Sequence, residues 1–226
     1  AYACGKRPYP KSLIVADSLA SARPDSAIAL LNTLKESMKA ESEATRMYYR
    51  LLCIKANDKA YIRHTSDSLI LPVLHYYTEK KDEHHLPEAY YYAGRVYRDL
   101  EDAPLALDYF QKAIDALPDN KGYRLKSKIY SQMGTLFLYQ KTYDEALKIL
   151  KEARKCNIAL KDSASMVFNL RDIANGYRCL DQNDSSLYYL RKAYYIAKVL
   201  RNYDLMAMVQ SQMASLYIEL EKYDLA

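Results

Sequence analysis

Apolar residues recur at helical spacing through most of this chain. Within residues 87–118, Tyr90, Ala93, Gly94 and Tyr97 fall at i, i+3, i+4 and i+7, which places them along one side of an α-helix. A second stripe follows at positions 105, 106, 109, 110 and 113 and ends before Pro118. Two amphipathic helices with a short connection predict a helical hairpin in which the two stripes face each other.

The residues before this hairpin predict two more hairpins with a weaker pattern. Residues 1–10 contain two prolines and one glycine and show no helical period, so we expect a flexible leader there. Residues 11–86 predict a first hairpin that starts at Lys11 and a second one with helices around 44–56 and 66–80. Pro72 either bends the last of these helices or moves its start to a later residue.

The hairpin pattern recurs along the chain as a 40-residue repeat. A small residue returns at one position, as Gly94, Gly134, Ala174 and Ala214, and a ring follows three residues later, as Tyr97, Phe137, Tyr177 and Tyr217. Small residues let two helices approach to about 8–10 Å, so we expect them at helix crossings. The pattern predicts units near 87–126, 127–166, 167–206 and 207–226. The last unit stops after its first helix, so we expect this chain to be a fragment of a longer protein.

Residues 90–118 resemble a tetratricopeptide repeat (TPR). The positions typical of that family are occupied in order by Tyr90, Ala93, Gly94, Tyr97, Ala106, Phe110, Ala113 and Pro118. The later units match without the closing proline, and their spacing is longer than the family's usual repeat of about 34 residues. The resemblance implies an all-α, right-handed α-α superhelix (a TPR-like solenoid) of about five and a half helical hairpins. It also implies a non-catalytic scaffold that binds a protein or peptide.

Composition and charge argue against several other classes of protein. The 226 residues carry 33 Lys and Arg and 28 Asp and Glu, for a net charge of +5, and the two signs are interspersed. A nucleic-acid-binding protein usually has a denser basic face. No stretch reaches the roughly 18 apolar residues of a membrane span. The four cysteines include no CxxC pair, and no histidine lies at metal-ligand spacing, so we expect no disulfide framework, metal or other cofactor.

The sequence contains none of the catalytic motifs that would indicate an enzyme. It has no glycine-rich phosphate loop, nucleophile elbow or HExxH pair. His84 and His85 lie in the polar segment 80–87, where we interpret them as solvated loop residues. We therefore predict that the chain is not an enzyme.

By the same resemblance, the first helix of each unit lines an inner groove for the ligand. The groove positions would be Tyr91, Arg95 and Arg98 in one unit, Lys128 and Tyr139 in the next, and Arg171, Asn175 and Arg178 in the third. Guanidinium and amide groups among tyrosine rings suit an acidic peptide or a C-terminal carboxylate. The alternative is that these are ordinary solvated charges that pair with nearby Asp and Glu.

Cys4, between Ala3 and Gly5, resembles the lipid-bearing cysteine at the cleavage junction of bacterial lipoproteins. Together with the leader and the long units, which contribute to a total of 24 tyrosines, it makes the chain similar to TPR lipoproteins of Bacteroidetes. That resemblance implies a periplasmic protein that touches the membrane only through a lipid on Cys4. One alternative is the N-terminal sensor half of a transmembrane transcriptional regulator, and another is a purely architectural subunit.

Overall fold

The computed structural model describes residues 9–118 and 122–220 and shows helices without any strand in those ranges. Cys4 lies outside the described residues. The chain divides into two compact units, Ala1–Leu117 (unit 1) and Pro118–Ala226 (unit 2). Each unit is built from consecutive helical hairpins, as the sequence pattern predicts.

The described part of unit 1 contains three hairpins. Their helices are α1 (Lys11–Ala22), α2 (Pro24–Leu34), α3 (Glu43–Lys59), α4 (Ile70–Glu79), α5 (Leu86–Asp99) and α6 (Ala103–Asp115), with a short 3₁₀ helix (Ser37–Ala40) before α3. Helix α3 packs against α1, α2, α4 and α5, so successive hairpins share one core. Helix α4 begins at Ile70 instead of residue 66, with Pro72 in its first turn. A later start is therefore the way this segment accommodates the proline.

The described part of unit 2 contains two complete hairpins and one further helix. The helices are α7 (Tyr123–Tyr139), α8 (Tyr143–Leu160), α9 (Ser163–Cys179), α10 (Asn183–Val199) and α11 (Tyr203–Glu219). Helix α8 packs against both α7 and α9, and α10 packs against both α9 and α11. The described residues thus contain the predicted five and a half hairpins. None of their helices is long and apolar enough to cross a membrane.

Three of the four predicted small residues lie where two helices of one hairpin cross, and the fourth, Ala214, is half-buried on α11. Gly94 faces Phe110 on α6, and Gly134 faces Leu150 on α8. Ala174 is buried at the equivalent position of α9. The recurring small residues therefore mark helix crossings, because only a small side chain lets two helices approach so closely.

From α3 onward, the turns that end the helices recur at half the length of the 40-residue repeat. The sequence pattern did not reveal this shorter period. Non-glycine residues with positive φ occur at Tyr61, Lys81, Glu101, Lys141, Lys161, Asp181 and Arg201. The next residue often caps the following helix. The side chains of Asp102, Asp162 and Asn202 each accept a hydrogen bond of 3.0 Å from the backbone N–H three residues later. One helix with its turn thus makes up half of each repeat, and the two halves have equal length.

Residues 62–69 depart from this period. A second helix would be expected to start near residue 63, but the chain stays non-helical until Ile70. Hydrogen bonds hold the segment against α5: the His64 N–H donates to the Asp99 carboxylate (3.0 Å), and the Tyr97 hydroxyl donates to Asp67 (2.9 Å). This segment places the His64 ring beside the charged residues of α5.

Candidate ligand-binding face

Each unit by itself has a candidate site, its first-helix face, defined as the off-core side of α1, α3 and α5 in unit 1 and of α7, α9 and α11 in unit 2. In unit 1 an ion-pair bridge joins three helices. The Lys55 Nζ of α3 lies 2.7 Å from Asp17 Oδ1 of α1 and 2.8 Å from Glu88 Oε1 of α5. Burial lowers the pKa of Lys55, but the two carboxylates outweigh it and hold the pKa above its ordinary value. The bridge therefore fixes the relative positions of the three first helices.

A more deeply buried ion pair joins α3 to α5. The Arg95 Nη2 approaches Asp58 Oδ1 to 2.6 Å, and the Asp58 side chain is 1% exposed. The two groups are at ion-pair distance without hydrogen-bond alignment. Both Asp58 oxygens and Arg95 Nε are consequently buried without a hydrogen-bond partner in the described part of the chain. Such a pair is costly to bury, and removing one member leaves an uncompensated charge.

Two predicted groove residues of α5 interact with this pair or lie near it. The Tyr91 hydroxyl accepts a hydrogen bond from Arg95 Nη1 (3.4 Å), and burial raises the pKa of Tyr91. Arg98 donates from Nε and Nη2 to Asp99 Oδ1, at 3.2 and 2.7 Å. Burial would raise the pKa of Asp99, but hydrogen bonds from the His64 backbone and Arg98 lower it below its ordinary value. The carboxylate of Asp99 is thus satisfied within unit 1.

In unit 2 the first-helix face carries an exposed ring. Phe168 on α9 is 43% exposed, and the Arg171 guanidinium lies 5.4 Å from its ring centroid. Arg171 also donates from Nε and Nη2 to Asp172 Oδ1, at 2.9 and 2.7 Å. Its Nη1 lies 3.2 Å from Met208 Sδ of α11. An apolar ring therefore sits beside a held guanidinium, an arrangement typical of binding anchors.

One turn further along α9, the predicted groove residues Asn175 and Arg178 contact each other. The Arg178 Nη2 donates to Asn175 Oδ1 (3.2 Å), and its Nη1 pairs with Glu219 Oε1 of α11 (3.2 Å). Both members of the Arg178–Glu219 pair are partly exposed, so the pair contributes about 0–1 kcal/mol. A ligand carboxylate could replace Glu219 at small cost.

The structure corrects one groove residue and refines the others. Tyr91 is 2% exposed, so its ring is a core residue and not a ligand contact. Lys128 and Tyr139 of α7 are exposed, as the groove interpretation requires. The four groove arginines, Arg95, Arg98, Arg171 and Arg178, each pair with an Asp or Glu of their own unit. This pairing is the alternative that the sequence left open.

Sequence reasoning missed the partners on this face. Asp17, Lys55 and Asp58 lie in hairpins whose repeat pattern is weak, so no alignment of repeat positions indicated that they lie on this face. Phe168 could have been found, because it occupies the same repeat position as the predicted groove residue Lys128. Its position on a first helix, outside the core stripe, was the available signal.

The described residues contain no group of three or more His, Cys, Asp or Glu side chains that could hold a metal ion. His85 is not a solvated loop residue, since its ring stacks on Tyr77 (centroids 5.1 Å apart) and its Nδ1 lies 3.2 Å from Asp82. Helix α5 follows directly and brings His85 against α4, which is why the ring is half-buried.

The sequence matches no protein-family model and no curated protein. Solved structures do match. The apo form of RapI is 15% identical with a TM-score of 0.76 over 95% of this chain and 61% of RapI. A signal transduction ATPase with numerous domains from Pyrococcus horikoshii, which has a tetratricopeptide repeat sensor, is 17% identical with a TM-score of 0.77 over 94% and 33%. A Rap protein complexed with Competence and Sporulation Factor is 15% identical with a TM-score of 0.69 over 95% and 61%. The chain has a TPR-like fold.

At these identities the likeness concerns the fold alone. The TPR-like chain spans 61% of the two Rap proteins and 33% of the ATPase. The repeat of this TPR-like fold is long because its helices are long. One helix together with its turn contains more residues than half of the usual repeat of about 34 residues.

Proposed function

We propose that this chain is a non-catalytic scaffold that binds a protein or peptide on the first-helix face of unit 2. The observation that carries the proposal is the row Phe168, Arg171, Asn175 and Arg178 on one side of α9. These residues follow at i, i+3, i+7 and i+10 and combine an exposed ring with guanidinium and amide donors. A ring flanked by donors on a rigid helix offers both an apolar anchor and directional hydrogen bonds.

The partner that fits this row is an acidic segment or a C-terminal carboxylate. Arg178 and Asn175 can donate to one carboxylate together once Glu219 gives way. Arg171 is held more firmly by Asp172, so we assign it to orienting the ligand beside Phe168. Two of the similar structures, a repeat sensor and a Rap protein complexed with a factor, support a binding role.

Site-specific photo-crosslinking tests this proposal. A photo-reactive amino acid at position 168 should cross-link a partner in cells. The same amino acid at position 158 is the matched control, because Ile158 is comparably exposed but lies on α8. Replacing Arg178→Ala together with Asn175→Ala should remove the cross-link from position 168. Equal cross-linking from positions 168 and 158, or no effect of the double variant, would overturn the proposal.

We also propose that Cys4 bears a lipid that tethers the chain on the periplasmic side of the envelope. The support is the resemblance of residues 3–5 to a lipoprotein junction. The test is metabolic labelling with an alkyne fatty acid in cells that express the complete reading frame. Label should enter the wild type and not Cys4→Ser, and label that persists in Cys4→Ser would contradict the tether.

A second candidate function is the sensor half of a transmembrane transcriptional regulator. The Pyrococcus horikoshii ATPase has a tetratricopeptide repeat sensor, and this favours the candidate. A complete reading frame with a span of about 20 apolar residues and a helix-turn-helix domain would support it. A reading frame that lacks both features would contradict the regulator and favour the tethered scaffold.

A further inference from the structure

Helix α10 carries an exposed apolar stripe on its outer side. Tyr188, Tyr195 and Val199 are 52%, 68% and 65% exposed and follow at i, i+7 and i+11, so they lie on one side of the helix. Lys192 stands between them, with its Nζ 4.5 Å from the Tyr188 ring centroid. We call these four residues the α10 stripe. Large apolar side chains aligned on a surface helix mark an interaction site more often than scattered ones do.

The equivalent side of α8, one repeat earlier, is polar or small. Lys148, Lys155 and Ala159 occupy the positions of Tyr188, Tyr195 and Val199. The core sides of the two helices match, since the leucines 147 and 187 and the leucines 150 and 190 are all buried. Helices α8 and α10 therefore turn equivalent sides toward the core of unit 2. The α8 positions stay exposed although α10 follows α8 in the stack, so hairpin stacking does not cover this side.

A cleft of about 600 Å³ lies beside the α10 stripe. Its lining includes Leu187 and Arg191 of α10, the rings of Tyr188 and Tyr195, and Tyr217 of α11. Arg191 Nη2 donates to the Tyr217 hydroxyl (3.4 Å). Rings around a cleft of this size accept an apolar side chain of a partner, whereas a flat bilayer surface cannot enter it.

The cations of this surface differ from those of the first-helix face. Arg191, Lys192 and Lys198 are exposed, and no carboxylate in residues 9–118 and 122–220 lies at ion-pair distance from them. Asp184 is the carboxylate that lines the cleft, at the N-terminal end of α10. A second copy of this surface would bring like charges together. A negatively charged partner can pair with these cations, because no ion pair within the described part of the chain has to be broken first.

We propose that the α10 stripe docks an acidic amphipathic helix of a partner protein. An apolar side chain of that helix fills the cleft between Tyr188, Tyr195 and Tyr217. Its carboxylates face Arg191, Lys192 and Lys198. The surface lies on a second helix and is separate from the first-helix face, so the two proposals can fail independently.

A displayed library of random 16-residue peptides tests this docking surface. Peptides selected on the wild type should have net negative charge and apolar residues at helical spacing. Arg191→Gln with Lys192→Gln should weaken the selected peptides by about tenfold or more, since two charge-assisted contacts are lost. Lys148→Gln with Lys151→Gln removes the same charge from α8 and should weaken them by less than about twofold. Arg178→Ala should have no effect on this binding.

Four results would overturn the proposal. Selected peptides could lack an acidic bias, or they could bind Tyr188→Ser with Tyr195→Ser as tightly as wild type. Sedimentation velocity could show self-association that Tyr195→Ser abolishes, which would assign the stripe to a second copy. Phosphatidylglycerol vesicles could bind wild type and not Tyr195→Ser, which would assign it to a membrane. All substituted side chains are at least partly solvent-exposed, and unchanged thermal unfolding by circular dichroism confirms that each variant is folded.

Discussion

Gly94 lies directly under the ring of Phe110, with no room for a methyl group between them. A Cβ built on Gly94 would lie 2.5 Å from both Cδ1 and Cε1 of that ring. In the next repeat, a Cβ on Gly134 would lie 2.5 Å from Leu150 Cδ2. The hairpins of both units thus depend on the same backbone-to-side-chain contact.

Gly94→Ala should destabilise unit 1. The clash with a buried ring costs about 1–3 kcal/mol, which exceeds the roughly 0.5–1 kcal/mol that alanine gains in a helix. Urea unfolding gives the free energy directly. Gly94→Ala combined with Phe110→Leu should be more stable than the sum of the two single changes predicts.

Gly176→Ala is the matched control for this clash. Its Cβ would lie 2.8 Å from Cδ2 and 3.1 Å from Cγ of Leu147, a less severe overlap than the one at Gly94. We expect a loss smaller than that of Gly94→Ala. A Gly94→Ala variant as stable as wild type would show that the helix crossing is looser than described.

Replacing a left-handed lysine by glycine should stabilise the chain. Lys141 has φ 60° at the turn between α7 and α8, a conformation that costs a side chain about 1–2 kcal/mol. Glycine avoids that cost but has more freedom when unfolded, so the net gain for Lys141→Gly is about 0.5–1 kcal/mol. Thermal unfolding of the two proteins measures it.

Lys148→Gly serves as the opposite-sign control. Lys148 lies in the exposed middle of α8, where glycine costs about 1 kcal/mol. The same kind of substitution should therefore raise stability at position 141 and lower it at position 148. If both variants lose stability, the strain at residue 141 is not significant.

Breaking the buried Asp58–Arg95 pair should be costly. Asp58→Ala leaves the Arg95 guanidinium buried without its partner, and we expect a loss of about 3–5 kcal/mol. Asp58→Leu with Arg95→Met replaces both charges by apolar side chains and should be much closer to wild type. Guanidinium chloride unfolding distinguishes the two. A double variant as unstable as Asp58→Ala would mean that packing, not charge, decides this site.

The stability of unit 1 should fall as pH drops below about 7 because of His64. Burial lowers the pKa of His64 from its ordinary value of 6.5, against the opposing effect of Asp99 and Asp58. In the acid range the unfolded chain therefore binds the proton more readily than the folded chain does. The contribution is fully present above the unfolded pKa and is lost as pH falls through the range below 6.5.

His64→Gln should flatten this part of the pH dependence. Urea unfolding at several pH values between 7.5 and 5 gives the slope for each protein. His84→Gln, which removes an exposed imidazole from the same unit, should keep the wild-type slope. An unchanged slope in His64→Gln would assign the acid sensitivity to other groups.

The sequence predicted the helices and their crossings, and the division into a leader (1–10), two weak hairpins (11–86) and a TPR array (87–226) stays a prediction. It predicted Gly94 and Gly134 correctly because a glycine recurring in an apolar stripe has one simple physical explanation, which is close approach. It missed the non-helical segment 62–69, because hydrogen bonds to Asp99 and Tyr97 on another helix hold it. Such contacts leave no local pattern.

The amino-acid sequence by itself determined the hairpin repeat, since helical periodicity and side-chain size are local properties. Only the tertiary structure decided which charges are available to a ligand. Arg95 and Arg178 have partners on neighbouring helices, at Asp58 and Glu219, whereas Arg191 has no such carboxylate in the described part of the chain. A guanidinium carries the same charge in every sequence, but its pairing depends on the distance to a carboxylate that folding brings near.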